Sequence, residues 1–431
     1  MAECPGLHVL AAMRDGLLAR IRLPGGSLVA GQLRLLADAV ERSGGTLEVT
    51  HRGNFQVRGL SAATANTLRN AVTGAGLASA APWADRLRNI LAAPLRGLDP
   101  AEVLDVGPTL AALDRALQTR RLLQDLSPKF SFALDGGGCW SVHGMGHDAG
   151  FRAELYDGTP VLRLSVAGAP TRHGVAPDQG IDALLAAALA CAGASDRRMA
   201  DLLALTGLQG VIRGIEAALG TGLIELPPAG PASDHAPPLG PLRQRQSGRV
   251  ALILGLAAQQ LDIGMARSLA VLTERFGSGV LRVAPMHAVV VADVATRNAD
   301  AALSAAADLG LLTDPAAGRI RITACSGSQG CERGRADTRA DARMLRLALA
   351  AANPGDTRLT VHVSGCPKGC AHPGPSDILL LARADGRGYD LHARTAAREA
   401  DGRQPLRVAL PTGEAAVAAL AIGAQSRHKA G

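Results

Sequence analysis

Four of the seven cysteines fall in two short glycine-bearing turns near the C-terminal end, Cys325-Ser-Gly-Ser-Gln-Gly-Cys331 and Ser364-Gly-Cys366-Pro-Lys-Gly-Cys370. Four thiolates are the ligand set of a cubane 4Fe–4S cluster. Each turn follows an alternating apolar run, residues 319–323 and 359–363, which predicts a strand ending where the loop must wrap an inorganic core. Glycines let backbone N–H groups approach the sulfides with no Cβ between them. Zinc is a competing reading, but structural zinc ligands usually come at two to four intervening residues. The gaps here are five and three. A third reading is four unrelated buried cysteines.

A chain of 431 residues can build several structural units and a sizeable core. Hydrophobic residues make up 47% and aromatics only 2%. So few rings cannot supply the stacking platforms of a single-stranded nucleic-acid binder. The formal charge of +7 comes almost wholly from arginine, since the lysines are Lys129, Lys368 and Lys429. Arginine suits bidentate clamping of carboxylates; base composition alone would also raise its share at the surface. Cys4, Cys139 and Cys191 stand at irregular spacing, which is no disulfide framework and implies a reducing cytoplasmic setting. The N-terminus lacks the pattern of a signal peptide. The apolar run at 183–194 is too short for a bilayer and predicts a buried helix, so no membrane association is expected.

Residues 17–23, 28–43, 46–50 and 54–58 read in order as strand, helix, strand, strand. The same order returns at 249–254, 261–276, 280–283 and 288–291, with Glu41-Arg42 falling on Glu274-Arg275 and Gly31 on Gly264. An internal repeat explains both. A proline-rich stretch separates the copies and has the composition of an exposed linker. The expected plan is α+β. It has a first ferredoxin-like half-unit (1–78), a first large α+β segment (79–226), a linker (227–248), a second half-unit (249–309) and a second large segment carrying the cysteines (310–431). Residues 337–351 predict a helix between the cysteine pairs, and the polar tail after Ala384 is assigned no role.

The cysteine arrangement, Cys-x5-Cys followed after a long spacer by Gly-Cys-Pro-x-Gly-Cys, resembles the sulfite and nitrite reductase superfamily. That resemblance implies a duplicated fold whose two half-units join in one sheet, and a 4Fe–4S cluster on Cys325, Cys331, Cys366 and Cys370. Cys370 would also bridge to siroheme iron if siroheme is bound. The decapeptide from Ser364, Ser-Gly-Cys-Pro-Lys-Gly-Cys-Ala-His-Pro, is similar to one branch of that superfamily, the precorrin-3B synthases. Thr50-His-Arg-Gly-Asn-Phe-Gln56 resembles the family's Thr-x-Arg-x-x-x-Gln stretch, which puts Arg52 at the tetrapyrrole. The second copy has Pro285-Met-His at the equivalent place, so no basic function is expected there. Arg88-Asn89 looks like the family's Arg-Asn-Val element, and Lys129 matches the first lysine of its Pro-Arg-Lys-Phe-Lys stretch. The second lysine is replaced by Ser131, which counts against a small oxyanion needing repeated protonation. Two arginine forks on separate loops can bracket a polyanion.

The branch resemblance implies a monooxygenase of aerobic cobalamin biosynthesis. It would hydroxylate a bridging carbon of precorrin-3A with O2 and close a lactone, relaying electrons through the cluster and using a mononuclear non-haem iron. The loop His143-Gly-Met-Gly-His-Asp-Ala-Gly150 contains Gly-x-Gly-x-x-Ala, but a strand-like segment follows where a dinucleotide fold needs a helix. Electrons from NADH would therefore arrive through a separate donor. His143, His147 and Asp148 could form an open two-histidine, one-carboxylate iron site, with His372 as a rival ligand. A siroheme-dependent sulfite or nitrite reductase is the alternative enzyme. A non-catalytic iron–sulfur protein that binds a tetrapyrrole or senses redox state is the alternative outside catalysis.

Overall fold

The computed structural model describes residues 4–192, 198–230, 237–256, 260–315, 320–351, 359–372 and 374–411. Residues 231–236 of the expected linker, Pro373 and residues 412–431 lie outside the described residues.

The first half-unit forms because apolar residues recur at helical spacing between two alternating runs. Leu33, Leu36, Ala37 and Val40 make one buried face of helix Ala30–Arg42. That face lies on a sheet ordered Ala11–Met13, Gly16–Ile21, Phe55–Leu60, Thr46–Val49. In the second half-unit, helix Ile263–Phe276 is capped by Asp262, which accepts from Gly264 N and Met265 N. Strands Arg249–Gly255, Val280–Ala284 and Ala288–Ala295 complete it. The two helices lie side by side, cross-linked by Arg267 to Asp38 at 2.6 Å and by Arg34 to Glu274 at 2.6 Å. These pairs are half exposed and set the register of the copies more than they stabilise them.

Among the described residues the two half-units form separate four- and five-stranded sheets, joined at the edge of the first by an antiparallel bridge between Glu48 and Gln260. A short strand, Ser27–Val29, leaves the first copy and pairs antiparallel with Val280–Ala284 at the edge of the second sheet. Glycine makes this crossing feasible. Gly26 has φ +74°, and a Cβ there would stand 1.9 Å from the Val283 carbonyl oxygen. The halves are thus stitched by a strand exchanged between sheets.

The first large segment is a six-stranded sheet running from Ile224–Glu225 through Ala149–Tyr156 to Ile90–Ala92. Its glycine-rich loop is followed by a strand, as expected from the sequence. The apolar run at 183–194 lies largely in a buried helix, Gly180–Cys191. Among the described residues one helix, Met199–Leu219, has the length and composition of a membrane span. Gly207 breaks it at φ 67°, leaving pieces 199–206 and 208–219, each shorter than the roughly 20 residues a span needs.

In the second large segment, strands Ile320–Ala324 and Leu359–Ser364 pair in parallel. Helix Thr338–Ala351 lies between them in the chain and packs on both strands, as a parallel connection requires. Two expectations are corrected here. The tail after Ala384 supplies strands Tyr389–Thr395 and Arg407–Leu410, because Tyr389 and Leu391 are apolar enough to close the core over Ile378 and Leu380. The linker also ends in structure, since Gly240–Arg243 pairs with Arg249–Gly255.

Candidate functional site

Parallel register explains why the two cysteine turns meet. Ala324 stands opposite Val363, so Cys325 and Gly365 leave the same end of adjacent strands. The Gly365 N–H donates to Cys325 Sγ at 3.2 Å, and Thr338 Oγ1 donates to the Cys325 carbonyl at 2.8 Å. Backbone closes around the turn so tightly that a Cβ on Gly334 would lie 2.2 Å from the Gly327 carbonyl carbon. Burial pushes the Cys370 thiol up, opposed by Lys368 and reinforced by Cys366, Cys325 and Cys331. All four sulfurs therefore share one electrostatic neighbourhood. Among the described residues no three His, Cys, Asp or Glu side chains converge on a single-ion site. A cubane spreads four thiolates around four irons, so its ligands stand wider than those of one ion. Thiol donors, an N–H···S bond and a glycine-lined turn fit such a cluster, which Cys325, Cys331, Cys366 and Cys370 could hold.

The turn is fixed to the first half-unit by Arg58, which is 2% exposed. Its fork donates to both Asp15 oxygens at 2.8 and 2.9 Å, and it also contacts the Gly330 carbonyl, next to Cys331. Arg339, on the helix between the cysteine pairs, reaches Glu48 on the neighbouring strand.

Arg52 projects from the 50–53 turn with Nη1 donating to the Gly146 carbonyl at 2.6 Å, while its buried Nη2 has no hydrogen-bond partner. Burial lowers its pKa to about 10; Asp148 raises it, and Arg198 and Arg20 lower it further. Three guanidiniums near one carboxylate leave an excess of positive charge that a polycarboxylate can neutralise. Lys129 is exposed, two residues before Ser131, whose N–H donates to Asp148 at 2.9 Å.

Arg88 does not join this group. It is 7% exposed and donates to Asp114 at 2.8 and 3.0 Å and to the Leu77 carbonyl at 3.0 Å. The expected second arm of a bracket is an interior ion pair, because its fork is spent on a neighbouring helix. Asn89 likewise donates to the Phe130 carbonyl at 3.2 Å. Arg88→Met should cost about 2 kcal/mol, since Asp114 is partly hydrated and loses only part of its compensation. Thermal unfolding should show this loss, with tetrapyrrole affinity unchanged.

The expected iron triad is also corrected. His147 donates Nδ1–H to the Met145 carbonyl at 2.8 Å and pairs through Nε2 with Ser165 at 2.6 Å. Asp148 accepts from Arg198 at 2.7 and 2.6 Å and from Met199 N at 3.0 Å. These atoms have no lone pair left for a metal, although His143 and His147 lie 5.6 Å apart ring to ring.

His372 instead meets histidines that sequence reasoning passed over. Its ring lies 5.3 Å from His51 and 5.8 Å from His362, and His51 lies 6.0 Å from His287. Burial drives His51 and His362 down to about 3 and His287 to about 4, so all three are neutral at pH 7. The signal was present: His51 sits inside the quoted arginine motif, and His287 is the histidine of Pro285-Met-His. Their meeting was not legible, because it depends on two hairpins interlocking. Met286 N donates to the His51 carbonyl at 3.0 Å.

Residues 11–74 match the nitrite/sulfite reductase ferredoxin-like half domain. The fold is that of the NirA protein of Mycobacterium tuberculosis, with a TM-score of 0.74 at 23% identity over 88% of this chain and 74% of that one. A ferredoxin–nitrite reductase of Synechococcus elongatus is 28% identical over 87% of this chain and 81% of its own. Duplicated half-units, together with a second large segment that carries four cysteines at the end of a parallel strand pair, define a protein of the sulfite/nitrite reductase superfamily. A precorrin-3B synthase of Sinorhizobium sp is 32% identical over 89% of this chain and 81% of its own. The chain belongs to the precorrin-3B synthase family and is an enzyme of the oxidoreductase type.

Proposed function

We propose that this chain is a monooxygenase that hydroxylates a bridging carbon of precorrin-3A with closure of a lactone from a ring acetate. One atom of O2 enters the substrate, the other leaves as water, and two electrons come from NADH through a separate protein. The observation that carries the reading is the arginine hairpin abutting the cysteine loops. Arg52 follows His51, whose ring touches His372, two residues past Cys370. When bound, a 4Fe–4S cluster on Cys325, Cys331, Cys366 and Cys370 supplies one-electron transfer. Arg52, with Arg20 beside it and Asp148 already paired by Arg198, binds and orients substrate carboxylates. Lys129, exposed and two residues before Ser131, adds one more cation. Ser131, bound to Asp148, offers no ammonium where the reductases carry their second lysine. That difference favours a tetrapyrrole substrate over sulfite or nitrite.

Anaerobically prepared protein, given precorrin-3A, O2 and an NADH-linked reductase, should yield a product carrying one oxygen from labelled O2. A siroheme Soret band together with nitrite or sulfite reduction would overturn the assignment. Arg52→Ala should weaken tetrapyrrole binding about 10- to 100-fold, the range for a lost charge-assisted hydrogen bond. Cluster absorbance should be unaffected, and unchanged affinity would remove Arg52 from the site.

A further inference from the structure

Between the second half-unit and the parallel strand pair lies a cavity of about 110 Å³. Trp140, Arg346 and His362 line it together with apolar side chains that include Ile253, Leu256 and Met286. The polar three come from separate segments: the loop before strand Ala149–Tyr156, helix Thr338–Ala351 and strand Leu359–Ser364. Trp140 is 2% exposed and His362 is 1% exposed. Among the described residues, Trp140 Nε1, Arg346 Nε and both ring nitrogens of His362 are buried without a hydrogen-bond partner. An indole nitrogen and a guanidinium Nε only donate, and a neutral imidazole keeps one N–H in either tautomer. The wall therefore holds three unmatched donors, which call for an acceptor.

Arg346 decides which kind of acceptor. Burial lowers its pKa, and no carboxylate acts in the other direction. It forms no ion pair among the described residues, whereas Arg339 on the same helix is paired with Glu48. A guanidinium stays charged at pH 7, and a buried charge is costly unless it is paired. Water would satisfy the three donors but leave that charge uncompensated. An anion does both. A cavity well below the roughly 300 Å³ of a pocket for a whole ligand takes a small group rather than a macrocycle. The apolar remainder of the wall suits a short hydrocarbon stem.

We propose that this cavity is a carboxylate subsite, in which Arg346 is the counter-ion and Trp140 and His362 donate to a carboxylate carried on a short apolar stem. The two oxygens of a carboxylate accept about four hydrogen bonds, enough for every unmatched donor. Two sources share that chemistry: an acetate or propionate arm of the tetrapyrrole, and a free short-chain carboxylate. The first rests on the tetrapyrrole reading above, whereas the subsite itself does not. His51, also on the wall, directly precedes Arg52, so a polycarboxylate held by Arg52 has the cavity beside it. The bracket expected of Arg52 and Arg88 is then made by Arg52 and Arg346.

The test is anaerobic calorimetric titration of the cluster-loaded full chain with sodium propionate and, separately, with precorrin-3A. Wild type is compared with Arg346→Met and with Arg343→Met, a change at an exposed position of the same helix. Wild type should bind propionate saturably, Arg346→Met about 10- to 100-fold more weakly, and Arg343→Met like wild type. Thermal unfolding separates this role from a structural one. Without ligand, Arg346→Met should not lower the midpoint, because it deletes an uncompensated buried charge. Propionate should raise the midpoint of wild type but not of Arg346→Met. Weaker precorrin-3A binding in Arg346→Met, with propionate competing in wild type, assigns the subsite to a tetrapyrrole arm. Propionate binding that needs Arg346, with precorrin-3A indifferent to it, assigns the subsite to a free carboxylate. The proposal fails if the binding of neither ligand depends on Arg346, or if Arg346→Met lowers the ligand-free midpoint. If precorrin-3A binds through Arg346 yet takes up no labelled oxygen, the subsite stands and the monooxygenase reading falls.

Discussion

Cys366→Ser is expected to give a folded protein with no brown chromophore and no oxygenation of precorrin-3A, and Cys325→Ser should do the same. A serine hydroxyl is a hard donor that does not replace a thiolate in a 4Fe–4S site. Neither change should unfold the chain. Cys366 is buried but lies in the turn after strand Leu359–Ser364, outside the hydrophobic clusters, and the Gly365 N–H that bonds Cys325 Sγ can bond a hydroxyl instead. Visible absorbance, iron and sulfide content and circular dichroism check this together. Retention of cluster absorbance in both variants would falsify the ligand assignment.

The largest effect expected on stability is that of Arg58→Met. The guanidinium is buried against Asp15 and Glu48 and contacts the Gly330 carbonyl, so removing it strands carboxylate charge at the joint between the half-unit and the cysteine turn. Breaking a buried pair from one side costs about 3 kcal/mol or more. The thermal midpoint should fall by several degrees. The reconstituted cluster should also be lost faster to a chelator, because the turn bearing Cys331 has lost its tether. An unaltered midpoint with unaltered cluster lifetime would mean that Arg339 and Glu48 carry the joint alone.

What each stretch of sequence revealed depended on how local its physics was. Helices Ala30–Arg42 and Ile263–Phe276 were legible because their burial pattern repeats along the chain itself. Leu28 and Val29 carry the helical spacing of 28–43 yet lie in strand Ser27–Val29, because their partner strand is in the other copy. The linker's last residues and the tail after Ala384 looked polar, yet both became strands by pairing with edges already in place. Arg88 stands out by its motif and Asp148 as the carboxylate beside two histidines, and nothing local shows that Asp114 and Arg198 neutralise them.

The sequence by itself determined the duplicated plan and the two cysteine turns, because hydrophobic period and ligand spacing are properties of neighbouring residues. It also carried Arg52, through a motif only seven residues long. Only the tertiary structure decided which charges remain available for a substrate and which histidines share a cavity. Availability is set by partners distant in the chain. His51 and His287 are 236 residues apart and meet because two hairpins interlock across the joint between the copies.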